Sequence, residues 1–212
     1  MNNPENVTPV IELCQGARSI LDVAETLFSE KGFDATSLND IAKQAGSSKA
    51  NIFHHFKSKE VLYLAVLKQA CTRSSAALDV VQKESSANPV NQMEHFCCSH
   101  LQAILSQPLS TQLIQRELLE NGEKRGKQLA EEVFADTFAK VIALVKQAQA
   151  KGMVRPDIEP SLLAFLMIGS NVIFFEALSV LKHMSDVSFS ASPEQFSSAV
   201  FDLLSNGFKE RA

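Results

Sequence analysis

Tryptophan is absent from this 212-residue chain, and a single tyrosine stands against fourteen phenylalanines, an aromatic set that makes a greasy interior with few polar handles. β-branched alternation is missing too, which excludes a strand-rich fold. Apolar residues recur instead at three- and four-residue steps almost throughout, the helical period. The chain has no Gly-rich phosphate loop, no nucleophile elbow and no His-Glu metal motif, so the usual signatures of catalysis are lacking. Glu117, Glu120, Glu123, Glu131 and Glu132 make an acidic patch, but without paired Glu-x-x-His sequences they do not build a di-iron bundle. Cys14, Cys71, Cys97 and Cys98 show neither disulfide nor zinc-ribbon spacing. No basic n-region followed by an apolar h-region opens the chain, so no signal peptide is expected. The longest apolar stretch, Leu162 to Phe175, is interrupted by Gly169, Ser170 and Asn171 and falls short of the roughly 18–20 residues that cross a bilayer. The expectation is a cytoplasmic all-α protein that is not an enzyme, uses no cofactor or metal and has no membrane partner.

Charge is unevenly distributed. The formal net charge is −4, yet between Ile41 and Arg73 Lys43, Lys49, Lys57, Lys59, Lys68 and Arg73 face one acid, Glu60, a local balance of +5. A basic head on an acidic body suits docking on phosphates through one end only.

Within that head, residues 37–56 read SLNDIAKQAGSSKANIFHHF. Leu38, Ile41, Ala42 and Ala45 predict a helix with one inward face, and Thr36 is the expected N-cap. Gly46 marks the turn, a step glycine makes at low steric cost. Ser48 is placed to cap a second short helix over Lys49, Ala50, Asn51, Ile52 and Phe53, with Ile52 and Phe56 as core. Two helices in this relation present the outer face of the second to a groove in DNA. Upstream, Ile20, Ala24, Leu27 and Phe28 share one face of a first helix that ends at Gly32. Downstream, Ser58 caps a connecting helix whose Val61, Leu62, Ala65 and Val66 face inward, running towards Gln82.

Arg18, Ile20, Ala24, Leu27, Phe28, Gly32, Phe33 and Thr36 before this unit, and Phe56, Lys59, Glu60 and Leu62 after it, complete a pattern that resembles the N-terminal domain of the tetracycline-repressor (TetR) family of one-component transcription regulators. The resemblance runs ungapped over roughly residues 15 to 70. It implies an all-α fold: a three-helix helix-turn-helix DNA-binding domain joined by a long helix to a C-terminal helical domain for ligand binding and dimerisation. The expected division is 1–14 as a mobile arm, 15–71 as the DNA-binding domain with its helix-turn-helix at 37–56, and 72–212 as the effector and dimer domain. Carried onto this sequence, the resemblance implies phosphate contacts by Thr36, His55 and Lys59. Base edges would be read by Ser47, Ser48, Lys49, Asn51 and His54, with Phe53 and Lys57 on the same surface. Lys49 is expected to reach guanine O6/N7 and Asn51 to pair with adenine, each good contact contributing about 1–3 kcal/mol of discrimination. Two departures are visible: the family usually has tyrosine at the position of Phe53, and an aliphatic residue at that of Ser47.

In the second domain the periodicity predicts five helices, near 90–106, 109–121, 124–151, 160–184 and 193–209. Gly152 is expected as a C-cap glycine, and Ser192-Pro193-Glu194-Gln195 as a capping box. The last two helices are the expected dimer surface, with Gly169 and Ser170 allowing close approach and Phe196, Val200, Leu203 and Leu204 forming a stripe. One head covers too few base pairs for a specific site, so a homodimer on a near-palindromic double-stranded operator is expected. By the same resemblance the domain encloses an effector pocket, for which Leu101, Ile104, Leu105, Leu113, Arg116, Phe134, Phe138, Phe165, Asn171 and Phe174 are candidate linings, with His100, Arg116 and Asn171 as its polar groups. Such a lining favours a small hydrophobic or amphipathic effector that releases a repressor from DNA. Two alternatives stay open: a redox- or metal-responsive regulator using His95, Cys97, Cys98 and His100, and a helical protein-interaction module without specific DNA binding.

Overall fold

The computed structural model describes residues 15–76, 78 and 88–208. The expected N-terminal arm, Cys14 and the far end of the connecting helix towards Gln82 lie outside the described residues. The described residues form nine α-helices and no strand. The chain divides into two compact units, Met1–Val66 and Leu67–Ala212.

In the first unit, α1 (Gln15–Ala35) buries Ile20, Leu21, Ala24, Leu27 and Phe28, and breaks at Gly32, whose φ of 83 and ψ of 172 no other residue type adopts easily. Phe28 and Phe33, 6.0 Å apart by centroid, both meet the ring of Tyr63 edge-on at 4.9 and 5.0 Å. α2 (Leu38–Gln44) and α3 (Lys49–Phe56) pack on α1. α4 (Lys59–Ser74) begins under a Ser58 cap that accepts from the Val61 amide at 3.2 Å, and the division between units falls inside it. Its inward stripe is Leu62, Tyr63, Val66 and Leu67 rather than the expected Val61, which is 46% exposed: the aromatic pair on α1 draws Tyr63 inward and turns Val61 out.

In the second unit, α5 (Pro89–Ser106) is central and packs on α7 (Ala135–Ala150), α8 (Pro160–Leu181) and α9 (Pro193–Phe208). Met93, Phe96, Val141, Val145, Ala164, Met167 and Phe201 form the middle of its core. α6 (Pro108–Leu129) does not stop near Asn121 as expected but runs through Gly122 and Gly126. The reason is the largely buried Glu117, which takes the Arg125 guanidinium at 2.9 Å and the Asn121 amide at 3.0 Å and so ties the helix together across the glycine. The interruption comes later, as a π-helical turn at Ala130–Phe134 leading straight into α7. Gly152 terminates α7 with φ 68; its amide reaches Gln149 O at 2.9 Å and that of Met153 reaches Ala148 O at 2.9 Å, the expected glycine cap. Ser192 accepts from the Gln195 amide at 3.2 Å to start α9.

Candidate nucleic-acid interface

The turn between α2 and α3 is closed at both ends by short-range hydrogen bonds. Ser37, not Thr36, caps α2: its hydroxyl accepts from the Asp40 amide at 3.1 Å and donates to the Asp40 carboxylate at 2.6 Å, which holds that carboxyl below its ordinary pKa. α2 ends with Ser47 N on Ala42 O at 2.9 Å and Gly46 N on Lys43 O at 3.4 Å, around Gly46 at φ 59. That is the paired bonding of a glycine-terminated helix. Ser48 accepts from the Asn51 amide at 3.1 Å and caps α3. Lys57 closes α3 with φ 57, its amide on Phe53 O at 3.0 Å, a left-handed residue that turns the chain into α4.

This local bonding orients α3 uniquely. Ile52 and Phe56 are buried, 1% and 4% exposed, as expected, while Lys49, Ala50, Phe53 and His54 are exposed on one side and Lys57 is exposed beyond the helix end. The Lys49 ammonium lies over the Phe53 ring, 5.8 Å from its centroid. His54 and His55 meet edge-on at 5.2 Å, with His55 half-buried against Phe56. Lys59 is half-buried as well; its ammonium donates to Asp34 O at 3.3 Å and sits 4.4 Å from the Phe33 centroid.

Three expected site residues are placed differently. Thr36 is 1% exposed, and its hydroxyl bonds Gly32 O at 2.8 Å and Leu27 O at 3.1 Å. It seals the broken end of α1 and offers no surface to a phosphate. Asn51 lies half-buried on the flank of α3, and its amide donates to Ser47 Oγ at 3.0 Å. That bond engages the side chain within the turn between α2 and α3. Ser47, the acceptor of that bond, is likewise half-buried, whereas Ser48 stays exposed.

The effector candidates of the second unit do not line one chamber. Leu101, Ile104, Leu113, Asn171 and Phe174 are buried in helix packing. Phe134 and Phe138 border an open apolar cleft of about 320 Å³ between α6 and α7, walled opposite by Gly122 and Gly126. Leu105 lines a second open cleft of about 450 Å³ with Gln112, Gln115, Glu176 and Lys182. Arg116 is half-buried. Phe165, 62% exposed, faces outward and lines neither.

His100 and Asn171 do come together. The Asn171 amide donates to Cys97 O at 2.8 Å and to His100 Nδ1 at 3.2 Å, and Phe96 stacks on the imidazole at 5.3 Å. An amide NH2 only donates, so Nδ1 is the acceptor nitrogen of a neutral ring. Burial pulls its pKa down to about 4. This arrangement sets His100 apart from the other members of the expected His95, Cys97, Cys98 and His100 cluster. Cys97 is buried with its thiol pushed well up by burial, His95 is exposed, and Cys98 faces Ser198 at 3.9 Å. Among the described residues no three His, Cys, Asp or Glu side chains are grouped to hold a metal ion.

α8 corrects a length expectation: its 22 residues make it the one described helix long and apolar enough to cross a membrane by composition. Mid-helix Asn171, however, is bonded into α5. Leu162, Phe165, Leu166, Ile173 and Val180 are exposed along its other side, and Leu203 on α9 is 74% exposed. Gly169 and Ser170 are half-buried, Val200 and Leu204 partly covered, and Phe196 stacks on Phe174 at 4.1 Å rather than standing free.

Known proteins share this arrangement. The family described as bacterial regulatory proteins, tetR family, matches residues 20–66. Over 44 residues the chain is 54% identical to the biofilm operon icaADBC HTH-type negative transcriptional regulator IcaR of Staphylococcus aureus (strain Newman), covering 21% of this chain and 24% of that protein, so the match spans about a quarter of that relative's length. It is 30% identical over 156 residues to the HTH-type transcriptional regulator RutR of Escherichia coli (strain K12), covering 72% of this chain and 70% of RutR. The fatty acid degradation regulator FadR from Bacillus halodurans superposes with a TM-score of 0.72 over 94% of this chain and all of that one, at 15% identity, a likeness of fold. With a capped helix-turn-helix at its head, a helical body and a relative matched over most of both chains, this protein belongs to the TetR family of bacterial transcriptional regulators, which are DNA-binding proteins and not enzymes.

Proposed function

We propose that the chain represses transcription by binding a near-palindromic duplex as a two-fold dimer, and that a small apolar or amphipathic effector releases it. The observation that carries this reading is α3: a helix capped at both ends whose outward face holds Lys49, Ala50, Phe53 and His54, with Lys57 exposed just past its end. Such a face enters a major groove, with Ser48, His55 and Lys59 at its edges positioned for phosphates. Thr36 and Asn51 have no direct contact in this scheme. The dimer reading is supported by the exposed apolar sides of α8 and α9, since a cytoplasmic monomer leaving such a surface bare would aggregate. The effector reading is supported by the apolar cleft at Phe134 and Phe138, and by the fold likeness to a fatty acid degradation regulator. An effector preferring the DNA-incompetent state by about 3 kcal/mol weakens operator affinity about a hundredfold.

The test is selection of bound duplexes from a random pool, then a salt titration on the winner. The expected result is a near-palindromic site whose log affinity falls with log salt by roughly 0.9 per neutralised phosphate. Weak binding at low salt with no enriched sequence would overturn the operator reading.

A further inference from the structure

The outward face of α3 has an apolar centre. At about 100° per residue, Lys49 and Phe53 stand at about 0° and 40° around the helix, with Ala50 at about 100° and His54 at about 140°. Phe53 thus stands between Lys49 and Ala50 on this face, and it is 43% exposed. Without a hydroxyl or N–H the ring offers nothing to a phosphate and no hydrogen bond to a base edge. The major groove presents one apolar projection that such a ring matches, the C5 methyl of thymine. The Lys49 ammonium sits 5.8 Å from the ring centroid, so a donor stands beside the apolar ring on the same face.

Resting on the DNA-binding reading above, we propose that Phe53 is a specificity-determining residue that reads a thymine methyl in each half-site, with Lys49 on the adjacent acceptor. The side chain selects the base by covering its methyl, so sequence preference at that position comes from an apolar contact and not from charge.

Replacing thymine by deoxyuridine removes the methyl and alters nothing else. The probe is the duplex selected from the random pool by the full-length chain, resynthesised with one thymine at a time replaced. At one symmetric position the unaltered protein is expected to lose about three- to fivefold in affinity, the value of one buried methyl. Phe53→Ala should bind thymine and uracil duplexes equally at that position, while Phe53→Tyr, which keeps the ring, should retain the difference. Tolerance of uracil at every position by the unaltered protein would overturn the proposal, and that arm needs no variant to fold. A Phe53→Ala protein that still prefers thymine as strongly as the unaltered one would overturn it too. Failure to enrich any duplex would instead remove the operator reading on which the proposal stands.

Discussion

The two units treat their surfaces in opposite ways. In the first, the large apolar side chains are almost all inside, and the outward face of α3 carries Lys49 and His54 beside one aromatic ring, with Lys57 exposed at the helix end. In the second, Leu162, Phe165, Ile173, Val180 and Leu203 lie exposed, while Glu117, His100 and Asn171 are buried. Among the head's buried polar groups is Thr36, a short hydroxyl closing two carbonyls at the broken end of α1. The body's are an ion pair and an imidazole–amide pair, which hold helices to one another or across a glycine. A surface of cations fits a partner made of phosphates, and one of aliphatic side chains fits another protein surface.

If the two are separate cooperative units, damage to one should leave the other standing. Phe28→Ala empties the aromatic cluster with Phe33 and Tyr63 and should cost the head about 3–5 kcal/mol. Hydrogen exchange is expected to show lost protection over α1–α3, with the amides of α5 and α7 unchanged; a single global loss would erase the distinction.

Between pH 6.5 and 4 acid should act on the body. His100 has its pKa lowered to about 4 from 6.5, so the unfolded chain takes the proton first. The stability it contributes is fully present above pH 6.5 and is lost as pH falls from there towards 4, about 3 kcal/mol in all. Urea unfolding of the body across that range should show the loss, and a His100→Gln variant, which cannot titrate, should not.

Ile173→Glu puts a charge on the exposed apolar side of α8 and should weaken self-association about a hundredfold, read by sedimentation, without lowering the melting temperature of the monomer. The smallest effect belongs to the head. Ser48→Ala removes one cap bond and should cost about 1 kcal/mol locally.

Much of the head was legible in the sequence because its signals are local: Gly46, Ser48, Ser58 and the buried Ile52 and Phe56 follow from neighbours a few residues away. The misplacements there came from contacts between helices. Thr36 looks like a cap by position, yet the broken end of α1 takes its hydroxyl; Asn51 looks free to reach outward, yet its amide is bonded to Ser47. In the body, helix periodicity revealed the number of segments and the glycine cap at Gly152, but not which apolar residues face inward. Phe134 and Phe165 are indistinguishable as letters, and only packing sends one to a cleft and the other to the outer face. The continuity of α6 through Gly122 depends on Arg125 reaching Glu117, which no glycine rule anticipates.

The π-helical turn at Ala130–Phe134 acts as a phase corrector. From Leu129 to Val141, twelve residues of unbroken α-helix would accumulate about 120° of misalignment, which one residue absorbed in a wide turn reduces to about 20°. Leu129, Val133 and Val141 all end up buried because the chain holds one residue more than a straight helix would use. That surplus makes the turn the natural place for this long helical stretch to lose a residue, and any such deletion would turn the outer faces of α6 and α7 relative to each other like two gears slipped by a tooth.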